Sequence, residues 1–166
     1  MNHEFLRAVR LKNLGLIKRM DLEGVDLSMK DEEGKDAIFY CIVNPDMGVF
    51  NYLMDRKVDL KSIYKEKKNL LHIAVESNLE ERGYFEIIQR LIKFGVEVNH
   101  QDKYGNIPLW YACIYYVINK KTIRCLLENG SNMDLKNNYE TNVYMAAKNN
   151  ERVELLNILE EFKSIK

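Results

Sequence analysis

The sequence has no surplus of charge of either sign: Lys plus Arg and Asp plus Glu each number 25. No global field is therefore available to grip a nucleic acid backbone or an anionic membrane, and neither is expected as a partner. Long apolar stretches are missing too. The longest nearly apolar run, 107–118, has twelve residues and includes a proline, which is too short to cross a bilayer and reads as a buried helix. The first twenty residues carry charges in every turn, with no apolar stretch of the kind a secretion leader needs. These absences predict a soluble, cytoplasmic protein.

Reactive groups are equally sparse. Cys41, Cys113 and Cys125 form no CxxC pair and no even-numbered framework, so they read as small buried apolar residues in a reducing compartment. The histidines are His3, His72 and His100, without a spacing that could surround zinc. There is no Gly-rich phosphate loop and no dinucleotide-binding turn, so no cofactor is expected. The carboxylate pairs Glu32-Glu33, Glu80-Glu81 and Glu160-Glu161 read as solvated surface features. Asn129-Gly130-Ser131 matches a glycosylation acceptor, but Gly130 reads better as a helix stop. Nothing here predicts an enzyme.

What the chain does contain is repetition. With 46% apolar residues over 166 positions it can bury an ordinary core and reads as one domain, 1–166. Ala8, Cys41, Ala74, Ala112 and Ala147 recur at intervals of 33, 33, 38 and 35. A second series, Ile17, Phe50, Ile88, Ile123 and Leu156, and a third, Met20, Leu53, Leu91, Leu126 and Leu159, stay in phase if the third and fourth units carry insertions. Beyond them stand Gly24, Lys57, Gly95, Gly130 and Lys163. Glycine thus fills three of five places where a helix must end in a left-handed turn.

The segment Asp102-Lys103-Tyr104-Gly105-Asn106-Ile107-Pro108-Leu109-Trp110-Tyr111-Ala112 resembles the opening of an ankyrin repeat, D-x-x-G-x-T-P-L-H-x-A, at five of seven defined positions. The resemblance implies an all-α fold: a solenoid of about five helix-turn-helix repeats with short β-hairpin-like fingers. The repeats fall at about 1–30, 31–63, 64–101, 102–136 and 137–166. Pro108 suits a first helical turn because its missing N–H has no partner there anyway. Small anchors let neighbouring inner helices approach, and His72 occupies the position where the family's histidine bonds adjacent turns.

Departures from the pattern also carry expectations. Repeat three has Tyr64 and Lys67 where Asp and Gly are usual, which predicts an irregular finger. Its extra residues fall at 78–84, a charged stretch that reads as a longer surface loop. Repeats one and five read as caps.

A solenoid leaves its finger tips and the outer side of its inner helices free, so these positions are the candidate protein-binding surface. The candidates are Glu32, Glu33, Lys35, Lys65, Glu66, Lys68, Lys103, Tyr104, Asn106, Tyr115, Asn138 and Tyr139. Tyrosine gives large contact area at small entropic cost, which makes Tyr104, Tyr115 and Tyr139 natural anchors, although the same residues could pack helices and turns. The runs Tyr104–Trp110, Thr122–Asn132 and Lys136–Asn138 resemble bacterial ankyrin-type immunity proteins of polymorphic and contact-dependent toxin systems. That resemblance implies a monomer that binds a cognate toxin domain and neutralises it. A scaffold or adaptor, including a bacterial effector or viral host-range factor, is the other reading.

Overall fold

Asn or Asp stands just ahead of five of the helices, and in each case its side-chain oxygen accepts a backbone N–H of the first turn: Asn13 from Leu16, Asp36 from Phe39, Asp46 from Val49, Asn69 from His72 and Asn142 from Met145. Such caps satisfy donors that a helix start leaves open. The computed structural model describes residues 2–80, 82–114 and 120–164. Within them are ten α-helices and no strands: α1 (Asn2–Arg10), α2 (Leu14–Leu22), α3 (Ala37–Val43), α4 (Met47–Asp55), α5 (Leu70–Glu76), α6 (Phe85–Lys93), α7 (Pro108–Ile114), α8 (Lys120–Glu128), α9 (Val143–Asn149) and α10 (Val153–Lys163). They pair in order as five helical hairpins, one per expected repeat. No helix of the described residues is long and apolar enough to cross a membrane.

The helices fall into two compact units, Met1–Tyr64 and Lys65–Lys166, divided at the start of the third repeat. In the first, α1 packs on α2 and α3, and α3 on α4. In the second, α5, α7 and α9 stack in sequence, and each also packs on its own partner, α6, α8 or α10. All five anchors are buried, at 2% exposure or less. Of the ten aliphatic and aromatic positions in the second and third series, only Leu156 is less than buried. The 3.6-residue period therefore selects the faces that stacking removes from water.

Helix stops follow the same phase. At Gly24, Gly95 and Gly130 the backbone is left-handed, and the next residue donates back to Met20, Leu91 and Leu126 respectively, each at 2.9–3.0 Å. This is the Schellman arrangement that glycine favours. Lys57 adopts the left-handed conformation too, at φ 55, where a side chain costs about 1 kcal/mol. Lys163 is the last residue of α10, but the helix ends there with neither it nor its cap, Ser164, left-handed.

The fingers form no ladder. Each of the second, fourth and fifth is a single turn closed by two backbone bonds: Asp31 N–H to Lys35 with Gly34 N–H back to Asp31, Asp102 N–H to Asn106 with Gly105 N–H back to Asp102, and Asn137 N–H to Thr141 with Glu140 N–H back to Asn137. The side-chain oxygen of the leading Asp or Asn takes two further N–H groups in each. The expected buried helix over 107–118 is α7 as far as Ile114; residues 115–119 lie outside the described part of the chain. Of the expected 78–84 loop, Glu81 lies outside the described residues, and what is described is less superficial than its charge suggests. Leu79 is fully buried, and Glu80 reaches the start of α8.

Candidate functional site

In the first unit the finger of repeat two places Glu32 and Glu33 in solvent. Lys35 is half-buried, with its ammonium 2.5 Å from Glu33 and over the Phe39 ring. Asp31 at the base of the turn accepts the Tyr40 hydroxyl and the N–H groups of Glu33 and Lys35. Burial favours the protonated form of Asp31, but these bonds outweigh it and hold the carboxyl below its usual range. The same carboxylate pushes the Tyr40 phenol, already raised by burial, up to about 12.

The second unit repeats this plan. Asp102 accepts from Tyr104 and Asn106 N–H, and from the Tyr111 hydroxyl nine residues on. In repeat five the residue nine beyond Asn137 is alanine, so that brace is missing. Successive fingers are also bonded to one another. Lys103 N–H donates to the Glu66 carbonyl at 2.7 Å, and Asn138 N–H to the Tyr104 carbonyl at 3.0 Å.

The third finger departs from the pattern as expected. It is a 3-10 turn over Lys65–Lys67 with Glu66 and Lys67 both left-handed, at φ 61 and 58. Lys65 is exposed. Glu66 accepts the Tyr104 hydroxyl at 2.9 Å and meets Lys68 at 3.3 Å, and these two contacts hold its carboxyl below the usual range. Lys68 is 12% exposed, between Glu66 and Glu76 and over the Tyr111 ring. Burial works against its charge, but the carboxylates prevail and raise its pKa.

The structure thus sorts the candidates. Glu32, Glu33, Lys65, Lys103, Asn138 and Tyr139 are exposed, with Tyr139 at 70%. Lys35, Glu66 and Tyr104 are half-exposed and paired within the chain. Lys68 faces inward. Asn106 is only 9% exposed, and its amide oxygen accepts from Asn137 at 2.9 Å, so it joins two fingers and offers a partner little surface. Tyr115 lies outside the described residues. Two exposed residues were not among the candidates: Lys67, left-handed where the family has glycine, and Met145 on α9, 42% exposed. The apolar-to-polar rhythm of α9 is too short to have revealed Met145.

His72 is fully buried. Its Nε2 lies 3.0 Å from the Asn106 carbonyl, and its Nδ1 lies 2.8 Å from the Asn69 side-chain oxygen and 3.3 Å from the Asn69 backbone nitrogen, so the ring contacts both repeats. Burial pushes its pKa down to about 4. It is a neutral strut between repeats three and four. Cys41 and Cys113 are buried thiols whose pKa burial raises, that of Cys41 to about 12. Among the described residues there is no group of three or more His, Cys, Asp or Glu side chains that could hold a metal.

A family model described as ankyrin repeats (3 copies) matches residues 79–164. The chain is 26% identical over 132 residues to an ankyrin repeat protein of Acanthamoeba polyphaga mimivirus, covering 76% of this chain and 16% of that one. It is 27% identical over 71 residues to an ankyrin repeat protein of fowlpox virus (strain NVSL), covering 43% of this chain and 17% of that one. The chain therefore spans about one sixth of the length of these curated relatives.

Proposed function

The chain belongs to the ankyrin repeat family, and from that premise we propose that its five repeats, taken as one domain, bind a folded protein through their finger tips. The observation that carries this reading is the division of labour within each repeat. Aliphatic side chains are consumed by stacking, while Glu32 and Glu33 in one unit, and Lys65, Lys103, Asn138 and Tyr139 in the other, stay exposed on braced turns. Braced turns lose little freedom on binding, which is the main cost of presenting loops to a partner.

Two finer readings follow. The runs within 102–138 support a cytoplasmic immunity protein that occupies a toxin domain. The viral relatives support an ankyrin scaffold that recruits a protein without inhibiting a toxin. In neither does the chain itself catalyse a reaction.

The test is capture of a partner by the purified chain, followed by titration of that partner against Glu32→Lys with Glu33→Lys and against Tyr139→Ala. The expected result is weaker binding by variants that keep the parent's thermal midpoint. If every variant binds like the parent, the finger tips are not the interface. Co-expression then separates the finer readings: an immunity protein restores growth to cells making the captured protein, and a recruiter leaves growth unchanged.

A further inference from the structure

Around the third and fourth fingers Lys65, Lys67, Lys68 and Lys103 stand against Glu66, Glu76 and Asp102, and the carboxylates are already engaged. Glu66 is turned to the Tyr104 hydroxyl and to Lys68, Glu76 meets the same Lys68 at 2.7 Å, and Asp102 is 5% exposed and turned to its own finger and Tyr111. On the next finger, Lys136 pairs with Glu140 at 3.0 Å. Lys65, Lys67 and Lys103 remain exposed, and among the described residues none of them has a carboxylate within 4 Å.

These three ammonium groups sit on a fixed base. Glu66 and Lys67 occupy a backbone conformation that side chains adopt only at a cost, and Lys103 of repeat four, with His100 at the end of repeat three, holds them there. Lys103 N–H bonds the Glu66 carbonyl at 2.7 Å, and His100 Nε2 donates to the Lys67 carbonyl at 2.8 Å. Strained turns kept by neighbouring contacts are a frequent property of binding elements. Asn138 N–H on the Tyr104 carbonyl then sets the exposed Tyr139 beside this base.

We propose that this tip docks an acidic segment of a protein partner, with Lys65, Lys67 and Lys103 meeting its carboxylates and Tyr139 covering apolar area next to them. The proposal rests on the protein-binding reading and adds the partner's chemistry. The three lysines can meet a partner without breaking an internal ion pair, whereas Lys68 cannot. A nucleic acid is a poorer fit, since a phosphate backbone is tracked by a longer basic groove with several stacking rings.

The experiment is a fluorescence anisotropy titration at low salt with fluorescein-labelled deca-glutamate and, separately, a labelled single-stranded RNA of equal length. Proteins compared are the parent, Lys65→Gln/Lys67→Gln/Lys103→Gln, and a control with Lys93→Gln/Lys121→Gln/Lys148→Gln, three exposed lysines elsewhere on the same unit. The tip variant is expected to lose about tenfold in affinity for the peptide, while the control matches the parent. No binding by the parent, equal losses in both variants, or tighter binding of RNA than of peptide would each overturn the proposal. A captured protein partner that binds the tip variant as well as the parent overturns this proposal while leaving the protein-binding reading standing.

Discussion

Glu80, in the loop of the third repeat, caps Thr122 in the fourth: its Oε2 accepts the Thr122 N–H at 2.8 Å, while Oε1 takes that of Lys121 at 3.2 Å. A carboxylate here satisfies two open donors and complements the positive end of α8. The inserted loop is therefore an inter-repeat brace, and its buried Leu79 fixes it in place.

Replacing Glu80 with alanine should lower stability by about 1–2 kcal/mol, the range of a lost helix cap. Glu80→Gln keeps an acceptor and should lose less than half of that. Urea denaturation followed by circular dichroism measures both; equal losses for the two variants would assign the effect to charge alone.

Arg152 serves the other end of the neighbouring helix, donating to the Cys113 and Ile114 carbonyls at 2.8 and 3.0 Å. Because these are the last carbonyls of α7, Arg152→Met should cost about 1–2 kcal/mol, since it keeps the apolar stem but removes charge-assisted donors. Faster hydrogen exchange confined to repeats four and five, with repeat one unchanged, is the expected signature.

Gly105 has φ +77, and a Cβ there would lie 2.6 Å from Asn138 Oδ1 and 2.7 Å from the Asn138 backbone nitrogen. Gly34 shares the φ but has open space around it. Gly105→Ala should therefore destabilise by about 3 kcal/mol against about 1 kcal/mol for Gly34→Ala, because only the former drives two fingers apart. Thermal unfolding of the two variants checks the difference; equal shifts would remove the close approach as the cause.

His72 gives a pH dependence whose sign is fixed by its depressed pKa. Above the ordinary imidazole value of 6.5 the folded and unfolded chains are both neutral at this residue, and it contributes no dependence. Between 6.5 and about 4 the unfolded chain takes up a proton that the buried ring refuses, so stability falls with pH, by about 3 kcal/mol in all. In His72→Gln the fall over that window should be much smaller. Urea midpoints measured from pH 7 to pH 4 test this, and parallel profiles for parent and variant would exclude His72 as the titrating group.

Five hairpins, their phase and their glycine stops were legible in the sequence because each depends on residues a few positions apart. Ala74 and Ala112 announce close helix packing, and Leu91, Gly95 and Val96 announce a helix end, without reference to anything distant. The candidate surface was legible only in outline. Lys68 and Asn106 stand at positions the repeat leaves outward, yet Glu76 and Asn137 draw them in.

The sequence by itself determined which faces are buried, since apolar side chains leave water wherever their period lines them up. Tertiary structure alone decided which polar groups remain available. Tyr104 meets Glu66 across 38 positions, Arg152 meets Cys113 across 39, and Thr122 meets Glu80 across 42. Hydrogen bonds and ion pairs are directional and short-ranged, so their partners are fixed only once stacking has set the repeats side by side.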